Sequence, residues 1–312
     1  MSHPEQLRMP ADTQHSATIV NGVSRIGYMA GGQAARWRDE DFPTLLTEKA
    51  HAFMRQHQDQ PFFLYFSFHD IHVPRIVAPQ FEGVSEMGPR GDAIAQMDWV
   101  TGQLVAELER LGLAENTLLI FSSDNGPVLD DGYGDMAIER LGEHDPAGGL
   151  RGGKYSVYEA GTRVPTLAWW PGRIQPGTSD ALLTQVDLYA SLAALTGQAL
   201  DKGEAPDSYE TLAAWLGERP QGREEMLEEA FTYGLRQGPW KYIMPQPQPE
   251  PGWFATKGVS AGFQTQPQLY DLSQDRAEAT NVAADHPERV AAMGARLDSL
   301  LQRDGSRPGW QP

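Results

Sequence analysis

Cysteine is absent from the chain. Its absence excludes disulfides, thiolate metal sites and cysteine nucleophiles. Positive charge is also scarce: 25 Lys and Arg stand against 42 Asp and Glu, a formal net charge of −17. That balance argues against nucleic acid and anionic membrane surfaces as partners. No apolar run approaches the ~18 residues of a membrane span. The opening MSHPEQLRMPADTQHS has no apolar core of the kind a secretory signal carries, and the compartment stays unassigned. What remains is 312 residues, 40% hydrophobic and 21% charged, an ordinary globular composition with room for one large domain or two smaller ones.

Residues 1–40 are polar, Gly-rich and weakly periodic, and read as an irregular segment. From 39 to 56 the apolar positions Phe42, Leu45, Leu46, Ala50, Phe53 and Met54 recur at helical spacing. PFFLYFSFHDIHVP follows; its run 62–66 has the continuous apolar character of a strand buried on both faces. A helix over 91–111 comes next, and then NTLLIFSSDNGP, with a strand over 118–121. Helix, strand, helix, strand in this order predicts parallel strands joined by crossovers, with the polar clusters at the carboxyl ends of the strands, where such sheets bind ligands. Residues 126–163 form a long Gly-rich loop, the kind of segment that is usually functional or disordered. A strand over 166–170 and a helix over 186–195 complete a unit spanning 41–200. Beyond it, strands over 232–235, 240–244 and 268–272 and a helix over 286–302 predict a small α+β subdomain spanning 201–312.

Individual residues are ambiguous. Asp124-Asn125 after a strand offers hard oxygen ligands for Ca²⁺ or Mg²⁺, but Asp-Asn-Gly-Pro is also strong turn chemistry. His72 suits anion binding or proton donation to a leaving oxygen; a lone loop histidine is more often structural, and His69 and Asp70 compete for the role. Lys154 follows Arg151-Gly152-Gly153, where backbone N–H groups and a compact positive charge suit an anion. RGGK is nonetheless not a P-loop. Asp130-Asp131 reads as a solvated turn, Arg163 as a partner for a buried carboxylate, and Trp169-Trp170 as core.

The ordered set PFFLYFSFHDIHVP, GPRGD, LLIFSSDNGP, LRGGKYSVYEAGTRVP and WWPGRIQPG resembles the sulfatase family, of the alkaline-phosphatase-like superfamily. The C-terminal GPWKYI and PQLYDLSQDRAEATNVA resemble that family's small C-terminal subdomain. The resemblance implies an α/β fold with a mostly parallel or mixed sheet flanked by helices, and hydrolysis of sulfate esters on a small molecule or a sulfated glycan. It further implies that Asp124 and Asn125 belong to a divalent-cation site, usually Ca²⁺. His72 and Lys154 would contact the sulfate, with Glu159 completing the Gly-Lys-x-x-x-x-Glu segment. Family members are often periplasmic, secreted or lysosomal.

The departure is as informative as the match. The family's nucleophile is a formylglycine made from Cys or Ser in a Cys/Ser-x-Pro/Ala-x-Arg motif, and no such motif occurs here. The early Asp-Asp metal ligands are unmatched too. The expectation is a sulfatase whose nucleophile-bearing first strands are missing from this chain and which is inactive alone. The alternatives are a non-catalytic protein binding a sulfated glycan or a partner chain, and, third, a phosphoesterase of the same superfamily.

Overall fold

The computed structural model describes residues 4–10, 17–25, 27 and 31–311. They fall into two compact units. One comprises Met1–Thr117, Leu129–Asp145 and Thr256–Gly258; the other Leu118–Val128, Pro146–Ala255 and Val259–Pro312.

The first unit opens with a surprise for an irregular segment. Strands β1 (Thr18–Val20) and β2 (Val23–Arg25) form an antiparallel hairpin. Asn21 and Gly22 turn it with φ of 51° and 77°, the doubly positive pattern of a tight hairpin turn. Val23 and Ser24 are buried, Tyr133 donates from its hydroxyl to the Ser24 carbonyl at 2.5 Å, and Arg25 pairs with Asp39 at 2.6 Å. The expectation of an unstructured, poorly packed start is therefore corrected for these residues, while 11–16 and 28–30 lie outside the described residues.

Helix α1 (Phe42–Gln56) begins with Pro43 in its first turn, where the missing N–H costs nothing. Its buried face is Thr47, Ala50 and Met54. It packs on α2 (Gly88–Arg110), whose buried face includes Ala93, Gln96, Val100 and Leu108. Arg55 on α1 reaches Glu107 on α2 at 2.8 Å. Between the helices, residues 62–66 form no hydrogen-bonded strand, although their burial alternates between half-buried and exposed. Phe63 and Tyr65 are 73% and 80% exposed.

In the second unit, β3 (Leu119–Ser122) pairs with β4 (Thr166–Trp169) in antiparallel register, Leu119 opposite Trp169. Every ladder among the described residues is antiparallel. The expected parallel pairing is thus not seen in them, because an apolar run specifies burial but not strand direction. The helix expected over 186–195 is α4 (Leu188–Leu195), entered through a short 3₁₀ turn. The α3 turn (Glu159–Thr162) and α5 (Leu212–Trp215) are single turns of helix.

The C-terminal part is a four-stranded meander, β5 (Glu225–Glu229), β6 (Tyr233–Gln237), β7 (Trp240–Ile243) and β8 (Gln268–Asp271), with α6 (Pro287–Leu301). Side chains alternate across it. Leu235, Tyr242 and Leu269 pack with Met293 and Leu297 of α6. Ile243 and Tyr270 pack with Val157 and Tyr158. The sheet is therefore sandwiched between α6 and the segment that carries the Gly-Gly-Lys loop. No helix among the described residues is long and apolar enough to cross a membrane.

Candidate active site

The Asp-Asn turn and the lysine loop lie against each other within the second unit. Lys154 donates its backbone N–H to the Pro127 carbonyl at 2.8 Å, and Gly126 donates to Gly161 at 3.0 Å. The approach is so close that only glycine fits. A Cβ on Gly126 would lie 1.6 Å from the Ala160 carbonyl oxygen, and one on Gly153 would lie 2.4 Å from that of Pro127. The glycines of DNGP and RGGK thus allow two backbones to touch, which brings the residues flanking them onto adjoining segments.

Asp124 is exposed and Asn125 half-buried. The Asn125 amide nitrogen donates to the Gly126 carbonyl at 2.8 Å, and its side-chain oxygen and the Asp124 carboxylate are the acceptors this turn carries. This donor chemistry suits a hard cation, but two oxygens do not make a site for an ion that takes six to eight. Among the described residues no group of three or more His, Asp or Glu could hold a metal. The side-chain ammonium of Lys154 lies 5.2 Å from the centre of the Tyr155 ring.

Behind Lys154 the loop is anchored by buried charge. Lys241 of β7 is fully buried and meets Glu228 at 2.6 Å, Glu159 at 3.0 Å and Glu278 at 3.7 Å. Arg236 and Arg163 also pair with Glu159, at 3.0 and 3.3 Å. Glu278 accepts the Glu159 backbone N–H at 2.6 Å. Burial pushes the Glu278 carboxyl up to about 7 against the pull of Lys241, and burial also raises Glu228. Burial opposes the charge on Lys241, yet Glu228, Glu159 and Glu278 raise its pKa overall. Burial opposes ionisation of Glu159 as well, but Lys241 and Arg236 hold its carboxyl below the usual range. Arg151 adds a hydrogen bond to the Glu278 carbonyl at 2.8 Å and stacks 3.9 Å over Tyr158. Glu159 is thus a structural hub, and the expectation that Arg163 meets a buried carboxylate holds. The sequence hid Lys241, because a lysine in a strand ordinarily reads as a solvent-facing residue.

His72 belongs to the first unit and is exposed. Its Nδ1–H donates to the Val73 carbonyl at 2.7 Å, since a carbonyl can only accept. The competing pair turns to structural work. The Asp70 carboxylate accepts from Gln96 at 2.5 Å, and burial raises its pKa. The His69 ring packs 4.7 Å from Phe42, and burial lowers its pKa. Asp130 makes the expected turn by accepting the Gly132 N–H at 3.1 Å. Asp131 departs from expectation: it is buried and paired with Lys257 at 3.0 Å.

The strand-end Asp-Asn turn thus lies against the Gly-Lys loop on an α/β scaffold. The sequence model of the sulfatase family matches residues 8–198, more than half of the chain, and the chain belongs to the sulfatase family. It is 46% identical over 303 residues to an N-acetylgalactosamine-6-O-sulfatase of Bacteroides thetaiotaomicron, covering 96% of this chain and 59% of that protein. It is 34% identical over 256 residues to human arylsulfatase A, covering 76% of this chain and 48% of that one. A solved sulfatase, described under metabolism of multiple glycosaminoglycans by Bacteroides thetaiotaomicron, superposes with a TM-score of 0.92 at 45% identity, covering 96% of this chain and 63% of that one. The chain therefore shares the sulfatase α/β fold and spans about half to three-fifths of the length of these relatives. Family membership points to a metal ion and a formylglycine as the working groups in general.

Proposed function

We propose that this chain supplies the sulfate-holding and part of the cation-holding portion of a sulfate-ester hydrolase. The observation that carries this reading is the backbone contact between Pro127 and Lys154, which joins the Asp124-Asn125 turn to the lysine loop. Lys154 contributes a fixed positive charge to sulfate oxygens. His72, oriented by its bond to the Val73 carbonyl, would hold the sulfate or hand a proton to the leaving oxygen as the S–O bond breaks. Asp124 and Asn125 would be two of the ligands of a Ca²⁺ ion, a set that is incomplete as it stands, and no step is routed through the ion. The identity to the Bacteroides N-acetylgalactosamine-6-O-sulfatase supports a sulfated glycan as substrate, with 6-O-sulfated N-acetylgalactosamine the first to assay.

With no cysteine and no serine in the nucleophile motif, the chain alone is expected to release no sulfate above background. Positioning that serves ground and transition states alike does not accelerate chemistry. The test is a fusion of this chain to the portion of the Bacteroides relative that it does not span. The fusion should hydrolyse the sulfated sugar, and His72→Ala or Lys154→Ala should each slow it by about 10²–10³. Full turnover by either variant removes that residue from the mechanism; turnover by the unfused chain overturns the reading.

A further inference from the structure

The lysine loop adjoins a cluster of aromatic rings that the proposed chemistry does not use, and the whole cluster lies within the second unit. Tyr155 follows Lys154 directly, and its ring centre lies 5.2 Å from the lysine ammonium. The Trp253 ring lies 5.3 Å from that of Tyr155, and the Phe231 ring 6.0 Å from that of Trp253. Phe254, fully buried, anchors the group, 5.6 Å from Trp253 and 6.2 Å from Phe231. Three separate stretches of sequence converge here: the lysine loop, the turn between β5 and β6, and the connection between β7 and β8.

Two features set this cluster apart from core. The first is exposure. Phe231 and Trp253 are 42% and 41% exposed, whereas the rings of Tyr158 and Tyr270, in the core nearby, are buried. The second is backbone conformation. Tyr155 and Phe231 stand at φ of 74° and 60°, a left-handed region in which a bulky residue is an outlier and glycine is at ease. Strain of this kind persists where the surroundings enforce it, and it gathers at ligand-binding positions. Here it sets two rings at the side of a cation. The face of an aromatic ring is electron-rich. The C–H groups on one face of a pyranose carry slight positive charge, so a sugar ring stacks flat on such a surface. A cation adjoining an aromatic surface can therefore take the oxyanion and the ring of one molecule together.

We propose that Trp253 and Phe231 are the platform on which the sugar ring of a sulfated saccharide stacks while Lys154 holds its sulfate, with Tyr155 and Phe254 positioning the platform. The sulfate half of this statement rests on the proposed function; the stacking half does not. The experiment is saturation-transfer NMR on the full chain with two probes, 6-O-sulfated N-acetylgalactosamine and unsulfated N-acetylgalactosamine, each titrated for affinity. The wild type should pass saturation to the ring C–H protons of both sugars and bind the sulfated one more tightly.

Trp253→Ala should weaken both sugars by about tenfold, and Trp253→Phe, which keeps a ring, should recover most of the loss. Phe231→Gly removes the second ring at a backbone position that suits glycine, and should weaken both sugars by about threefold. Lys154→Ala should bring the sulfated sugar down to the affinity of the unsulfated one and leave the latter unchanged. A Lys154→Ala protein that binds both sugars normally strikes out the sulfate role and leaves the platform standing. Trp253→Ala and Phe231→Gly proteins that bind both sugars normally overturn the platform. A Trp253→Ala protein whose only change is in sedimentation would show that the rings meet a second copy of the chain, and the proposal falls. Absence of transfer from the wild type to either sugar overturns it as well.

Discussion

Two clusters of buried charge in this chain are built on opposite principles. Around Lys241 one ammonium is ringed by three carboxylates, and two arginines close the outer edge. In the first unit the buried Arg75 pairs with Asp135, while Nη1 of the buried Arg90 has no hydrogen-bond partner. The first cluster sets cations against carboxylates and ties the lysine loop to the C-terminal sheet. Burial alone therefore does not fix the state of a charge; its partners do.

The largest effect should come from breaking the Lys241 cluster. Lys241→Met strands Glu159, Glu228 and Glu278 without their common cation, and should lower unfolding stability by about 3–5 kcal/mol. Chemical denaturation measures it, and a loss below about 1 kcal/mol would show that the cluster relaxes or protonates at little cost.

A smaller effect sharpens the same comparison by pH. Burial pushes the Glu278 carboxyl up to about 7 from the ordinary 4.5. A carboxyl raised in the fold binds its proton more tightly there than in the unfolded chain. Its contribution is therefore fully present below about pH 4.5 and is lost as pH rises through 7. Glu278→Gln should remove this dependence, on the order of 2–3 kcal/mol between pH 5 and 8. Parallel stability–pH curves for wild type and variant would contradict it.

The smallest effect is the control. Arg173 and Glu218 approach to 3.7 Å with both side chains largely in water. Arg173→Ala should change stability by no more than about 0.5 kcal/mol. A larger loss, measured by the same denaturation, would weaken the case that compensation and burial together set the scale.

Much of the local structure was legible in the sequence. The period-3.6 stripes over 39–56 and 91–111 became α1 and α2, and the strands of GPWKYI and PQLYDL became β7 and β8. The β1–β2 hairpin was missed although Asn21-Gly22 between β-branched residues is a strong hairpin signal; the surrounding glycines masked it. Residues 62–66 were legible as an apolar run, but pairing is a long-range property that local pattern does not encode. Asp124, Asn125 and Lys154 were singled out through motif order, and the fold sets their two segments side by side. Lys241 and Arg90 were not singled out, because the partners that define them, or the lack of such partners, exist only once the chain is folded.

The exposed rings of Phe63 and Tyr65 bear on how this chain behaves in a test tube. Two aromatic faces in water invite copies of the molecule to stick, and only mutual repulsion from the net charge of −17 opposes them. That repulsion reaches about 10 Å at 0.1 M salt and 3 Å at 1 M. The chain should therefore disperse best in dilute buffer and grow cloudy as salt is added, a colloidal habit set by exposed apolar side chains, these two the most exposed among the large ones, rather than by the stability of the fold.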